Sequence, residues 1–307
     1  MNALDIFERV LATVIPVFLI AGIGFAYSKR KMAQNAGTPP DMGALNTLML
    51  DILAPLLVFT ALSDRGFNLF DQRWVVVGGL IVVVGSGLVA WGIAKLRGYD
   101  VQSFVPPAMF NNCGNMGLPL AVFAFGQEGL MAAVALFTSC NLLHFTLGVK
   151  ILSPQAKLAQ VLKTPLTMGM VLGLLCAGFN IHLPQPLFEG LSLLGKSAVP
   201  LMLFMLGVRM AHSQLSDTGA GLVCGVLCPV AGMAFAYAAY ALLPLTGAQF
   251  AYVLMFGALP PAVLNALMAV QYRANINLTT SAVVWGHVVS LASVPLALAL
   301  GFSASHS

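Results

Sequence analysis

Ten apolar runs of roughly twenty residues follow one another along this chain, separated by short polar links. A helix rises about 1.5 Å per residue, so a run of that length matches the roughly 30 Å of hydrocarbon in a bilayer. The runs lie near 9–27, 43–62, 74–94, 105–126, 129–150, 165–180, 187–210, 219–243, 248–271 and 278–302. Charged residues make up only 8% of the chain, against about 25% in a soluble domain. The sequence therefore predicts an all-α integral membrane protein with ten transmembrane helices. The first run reads as a retained helix rather than a cleaved signal. "MNALDIFER" carries Asp5 and Glu8, and the run ends in "SKRK" with no small-residue cleavage site.

The basic residues orient these spans. One alternate set of links holds Lys29, Arg30, Lys31, Lys95, Arg97, Lys150, Lys157, Lys163, Arg209 and Arg273, whereas the other holds only Arg9, Arg65 and Arg73. Cytoplasmic links carry the excess of Lys and Arg, so the first set is expected inside and both termini outside. Ten spans then divide into a repeat over 1–150 and a second over 151–307, and an odd number of spans per half inserts the second half upside down. Two internal matches agree with that division. "LDILAPLLVFTALSDR" in span 2 resembles "LGKSAVPLMLFMLGVR" in span 7, with Pro55 against Pro200. Shifted by nearly the same amount, "AMFNNCGNMGLP" in span 4 falls against "LMFGALPPAVLN" in span 9.

Spans 4 and 9 are poor membrane helices. Asn111, Asn112 and Asn115 are costly in hydrocarbon, and Gly114, Gly117 and Pro119 disfavour helix. Irregular backbone in a bilayer is tolerated only where it is buried in protein or lines a cavity. Both spans therefore read as discontinuous crossover helices. In span 4 the second half starts near Leu118, with Pro119 in its first turn. In span 9 the break falls at "GALPP", with Pro260 and Pro261 opening the second half and Asn265 close behind. Each second half presents unpaired N–H groups and partial positive charge near the midplane, an arrangement suited to an anion.

"NNCGNMGLPLAVFAFG" resembles the first crossover of the auxin efflux carrier family, whose bacterial members include malonate and malate permeases. The span count and the second "LPP" break agree over nearly the whole chain, while "KILSPQAKLAQVLKTP" is a short basic link where plant carriers have a long loop. The resemblance implies a scaffold of spans 1, 2, 6 and 7, and a crossover domain of spans 3–5 and 8–10 that moves as an elevator. It also implies residence in the bacterial inner (plasma) membrane with both termini periplasmic.

Further polar residues fall inside spans. Asp51 and Lys196 each lie four residues before the paired prolines, and are read either as an ion pair or as a coupling site and a substrate-binding cation. Asn141, His144 and His287 are candidates for proton or ion coupling, or else for hydrogen-bonded helix packing. Glycines at 78, 79, 85, 87, 169, 173, 221 and 225 read as close helix packing, and the five cysteines as small packing residues. The substrate-binding candidates are thus Asn111, Asn112, Asn115, Gly117, Pro119, Pro260, Pro261, Asn265 and Lys196.

No His-Glu-x-x-His, Gly-x-Ser-x-Gly or nucleotide-binding loop occurs, so neither an intramembrane enzyme nor an ATP-driven pump is expected. The expected function is secondary transport of a small organic anion, with a dicarboxylate such as malonate favoured because two half-helix termini offer two loci of positive charge. Trp74, Trp91 and Trp285 do not cluster near either break, which favours a small ligand over an aromatic monoanion. The alternatives are an auxin-like monocarboxylate carrier, or a channel or ligand sensor on the same scaffold. Expected partners are the anion, protons or sodium as coupling ion, the lipid bilayer and a second copy of the chain as a homodimer. No cofactor, metal or nucleic acid is expected.

Overall fold

The computed structural model describes residues 3–68, 70–155, 164–213 and 218–305. Lys157 and Lys163, counted above in the basic links, lie outside the described residues, as does Ser307. The described chain is helical, its one β-bridge being an isolated pair of residues. Long apolar helices are α1 (Ala3–Gln34), α2 (Gly43–Leu62), α3 (Arg73–Arg97), α7 (Gln185–His212), α8 (Thr218–Leu242) and α11 (Ile276–Ala304). Shorter ones are α4 (Val101–Met109), α6 (Pro165–Phe179), α9 (Gly247–Gly257) and α10 (Val263–Gln271). On α1, Leu4, Phe7, Leu11, Ile15, Leu19 and Ile23 are all exposed and recur every three or four residues. This is the apolar stripe of a helix whose outer solvent is lipid rather than water.

The helix α5 (Leu118–Leu143) is preceded by a π-turn over Cys113–Gly117 and continued to Leu152. It does not run straight. Gly126 has φ 66° and ψ −145°, a conformation open to glycine. A Cβ on Gly114 would meet the Phe137 ring at 2.9 Å, although a continuous helix would hold them about 35 Å apart. The chain therefore folds back at Gly126, beside the exposed Gln127 and Glu128, giving antiparallel arms 118–125 and 127–143.

Packing sorts the helices into two groups. In one, α1 lies along the second half of α7, and α2 lies against α6 and the first half of α7; in the other, α8 packs against α3, α9 and α11, and α4 against α3. Contacts of α1 with α5 and α11, and of α2 with α5, join the groups. Glycine sets several of these distances. A Cβ on Gly207 would lie 1.8 Å from the Ala21 carbonyl oxygen of α1, and one on Gly225 would lie 2.7 Å from the Gly286 nitrogen of α11. Cβ atoms at Gly78, Gly79, Gly85, Gly87, Gly169, Gly173 and Gly221 would also meet neighbouring helices closer than ordinary contact. The close-packing reading of these glycines is met throughout.

Two helices carry matching irregularities. A π-turn over Met49–Leu53 precedes Pro55 in α2, and α7 is interrupted at Ser197 just before Pro200. A proline removes the hydrogen bond to the carbonyl four residues back, here that of Asp51 or Lys196, so each helix is loosened at the same relative point.

Candidate functional site

The two interrupted spans cross at their breaks. Between α4 and the π-turn, Phe110 is extended, and between α9 and α10 the chain is extended at Ala262. Asn111 and Pro261 form an antiparallel bridge. The Asn112 N–H donates to the Pro260 carbonyl at 2.7 Å, and the Ala262 N–H donates to the Phe110 carbonyl at 2.9 Å. The sequence expectation that Pro260 and Pro261 open the second half-helix is corrected here, since α10 begins at Val263. Pro260 precedes a proline and is thereby biased away from the helical region, so both prolines lie in the extended crossing, where only their carbonyls are needed. In span 4, Pro119 does occupy the first turn of α5. A Cβ on Gly117 would meet Leu259 Cδ1 at 2.9 Å, which fits the tight seating of the π-turn against the other break.

Broken backbone in a membrane leaves carbonyls that must find donors. Several of those at this crossing are met by side chains. Asn111 Nδ2 donates to the Phe256 carbonyl, and Asn265 Nδ2 donates to the Phe110 carbonyl at 3.0 Å. Phe110 and Phe256 are the residues that the internal match sets opposite each other, so each half supplies an asparagine that caps the other half's phenylalanine. Ser293 Oγ donates to the Ala258 carbonyl at 2.8 Å, and the Cys228 thiol to that of Leu259. Neither Ser293 nor Cys228 stood out in the sequence, because a hydroxyl or thiol in an apolar helix has the same composition whether it packs or caps.

One histidine belongs to this network. His287 Nδ1 lies 2.7 Å from the Val283 carbonyl, which fixes its proton there. Its Nε2 is then the acceptor for Asn112 Nδ2 at 3.1 Å. The neighbouring Gly286 admits the crossing, since a Cβ there would strike Pro261 Cδ at 2.1 Å.

Beside the crossing lies a cavity of about 330 Å³. Its polar lining is Asp51, Asn111, Asn112, Asn115, Asn141, His144, Thr164 and Arg209, and its apolar lining includes Phe137, Phe145, Met202, Leu264 and Leu267. His144 stacks on Phe110 with ring centroids 4.1 Å apart and planes within 4°. Asn111 Oδ1 and Asn141 Nδ2 are buried and have no hydrogen-bond partner among the described residues. An unmet buried polar atom costs about 1–3 kcal/mol, so this wall favours whatever polar group enters. The cavity's cation is Arg209. Its guanidinium donates to Asn46 Oδ1, and no carboxylate pairs with it among the described residues.

Of the residues singled out in the sequence, the cavity brings together Asn111, Asn112, Asn115, Asn141, His144 and Asp51. Asn265, Pro260, Pro261 and His287 belong to the crossing, while Gly117 and Pro119 belong to the start of the second half of span 4. Lys196 does not join them. It is exposed in the last turn of the first half of α7 and lines no part of the cavity. Thirteen residues of chain, about 20 Å of helix, separate it from Arg209. No ion pair joins it to Asp51 among the described residues. Arg209 had been assigned to the basic links that set orientation, and only the fold brings it to the asparagines.

Comparison with known proteins finds similarity to membrane transporters. The family model described as "Membrane transport protein" matches residues 9–163 and 157–298. The "Uncharacterized transporter" of Methanothermobacter thermautotrophicus is 27% identical over 269 residues, covering 83% of this chain and 88% of that protein. A second "Uncharacterized transporter", from Methanocaldococcus jannaschii, is 23% identical over 256 residues, or 78% of this chain and 83% of the relative. The "Putative malonate transporter" of Rhizobium meliloti is 22% identical over 223 residues, 67% of this chain and 68% of its own length.

Proposed function

The chain belongs to the membrane transport protein family that contains the auxin efflux carriers, and we propose that it is a secondary carrier of a small organic anion, malonate or a similar dicarboxylate. The observation that carries this reading is the cavity wall, where Arg209, with no carboxylate partner among the described residues, stands with two buried amide atoms that lack partners, against the crossing of two broken spans. In the proposed complex one carboxylate meets Arg209, and the other meets the Asn115 amide and the first-turn N–H groups of Gly114 and Asn115. Such N–H groups have no intrahelical partner and carry partial positive charge. The name of the Rhizobium relative supports the choice of malonate as the first substrate to test.

The proposed cycle is elevator-like. The group formed by α3, α4, α5 and α8–α11 carries the crossing and its asparagines, while the group of α1, α2, α6 and α7, which supplies Asp51 and Arg209 to the cavity, stays fixed. Ten crossings arranged as two inverted halves follow if the second arm of α5 spans the bilayer by itself, while α4 with the first arm of α5, and α9 with α10, each span it once across their breaks. Asp51 and His287 are the proposed proton carriers, the first lining the cavity and the second bonded to its wall residue Asn112.

A second reading, transport of an aromatic monocarboxylate, is favoured by Phe137 and Phe145 in the same lining. Uptake by purified protein in liposomes separates the two. Saturable malonate transport is expected, with a KM at the cytoplasmic face that Arg209→Gln raises roughly ten- to a hundredfold, the loss of a charge-assisted bond of about 1.5–3 kcal/mol. Uptake of indole-3-acetate with no response to any dicarboxylate would overturn the substrate assignment. Wild-type kinetics in Arg209→Gln would remove that residue from the site.

A further inference from the structure

A second recess, of about 210 Å³, is lined by Ser63, Asp64, Arg65, His182, Leu183, Gln185 and Phe188. Its position relative to the first cavity is set by two helices. The first cavity takes Asp51 and Ala54 from α2 and Thr164, Pro165 and Leu166 from the start of α6. The second takes residues 63–65, just past the end of α2, and residues 182–185, just past the end of α6. The two recesses therefore stand at opposite ends of the same helix pair, about 20 Å apart along α6.

Each recess holds one arginine at a matching place in its half. Arg65 follows Pro55 by ten residues, and Arg209 follows Pro200 by nine. The extra residue is accommodated because α2 has ended at Leu62 before Arg65 is reached, whereas α7 continues as helix through Arg209. Among the described residues Arg65 makes no hydrogen bond or ion pair, although it is exposed. Ser63 Oγ is buried in the same lining, with the residue 5% exposed, and has no partner. Two other polar groups are already occupied. Asp64 Oδ1 accepts from the Gly66 N–H at 2.8 Å, which holds the carboxylate toward its own turn, and the Gln185 amide donates to Glu189.

We infer that the recess of Ser63, Arg65 and His182 is the outer-face counterpart of the Arg209 cavity, and that it receives a carboxylate of the carried anion when the carrier faces outward. Arg65 supplies the charge and Ser63 a hydroxyl donor, and His182 closes the third side. The inference rests on the carrier reading above and extends it to the face of the membrane that the Arg209 cavity does not serve.

Two measurements test it, and they separate its failure from that of the carrier reading. In the first, malonate flux is followed in right-side-out and inside-out vesicles. Arg65→Gln is expected to raise the outer-face KM roughly tenfold while the inner-face KM stays within about twofold, and Arg209→Gln is expected to do the reverse. Arg65→Lys, which keeps the charge, should recover part of the outer-face affinity. In the second, Gln185→Cys is labelled with an impermeant maleimide in a Cys176→Ala background, the other four cysteines being buried. Malonate should slow labelling, and should fail to do so once Arg65→Gln is added. An unchanged outer-face KM in Arg65→Gln, or labelling indifferent to malonate, would overturn the outer site. Protection of Gln185→Cys without saturable flux from either face would instead overturn the carrier reading and leave the anion site standing.

Discussion

At the scale of single residues, the four asparagines of the crossing divide by what their amides touch. Asn111 and Asn265 donate to carbonyls of the opposite half, so their loss removes a buried hydrogen bond across the crossing. Asn115 lines the cavity and makes no side-chain hydrogen bond to a described residue. Asn265→Ala is accordingly expected to destabilise the folded protein by about 0.5–1.5 kcal/mol, seen as a lower Tm in detergent. Asn115→Ala should leave Tm unchanged and raise the malonate KM roughly tenfold or more. A fall in Tm for Asn115→Ala equal to that of Asn265→Ala would erase this division. The sequence made the asparagines legible because polar amides in an apolar run demand an account. It could not single out Arg209, because a basic residue at a span end already has an account as a topology signal. Lys196 attracted attention for the opposite reason. A charge inside a span and four residues before a paired proline suggested a site residue, but α7 is interrupted beside it and it stays exposed.

At the scale of elements, the breaks in spans 4 and 9 were readable from Pro, Gly and Asn in hydrocarbon, since each removes helix stability by a known mechanism. Their pairing into an antiparallel bridge was not readable, because it depends on two segments 150 residues apart meeting in register. The hairpin at Gly126 was foreshadowed by the end of the fourth apolar run at that residue. Its positive φ explains why the chain turns there rather than continuing through Gln127 and Glu128. Helix packing gives the sharpest test at this scale. Gly207→Ala would place a methyl carbon 1.8 Å from the Ala21 carbonyl oxygen. Because backbone must move to admit it, a loss of at least about 1–3 kcal/mol is expected. Gly22→Ala, on the same pair of helices, meets nothing within 4 Å, and should gain up to about 1 kcal/mol from helix propensity. Thermal unfolding of the two variants should thus shift in opposite directions. A Tm for Gly207→Ala at or above that of the unsubstituted protein would mean that α1 and α7 are not packed as described.

At the scale of the whole molecule, the proposed carrier depends on which faces the links occupy, and the arms of α5 decide the count. If residues 113–152 formed one continuous helix of 40 residues, it would be about 60 Å long, twice the hydrocarbon thickness. Everything after it would then change sides. With a hairpin at Gly126 the chain would cross twice, and the link at Lys150 would return to the face that holds Lys29, Arg30 and Lys31, in keeping with the bias of basic residues. Single cysteines at Asn35, Gln127 and Ser153, in a Cys176→Ala background, turn this into a measurement. An impermeant maleimide applied to intact cells should label Gln127→Cys, and should reach Asn35→Cys and Ser153→Cys only after the cells are opened. Labelling of Ser153→Cys from outside together with Gln127→Cys would place the whole 127–152 arm on one face. The two halves would then no longer be inverted, and the Arg65 recess and the Arg209 cavity would lose the relation on which alternating access between them depends.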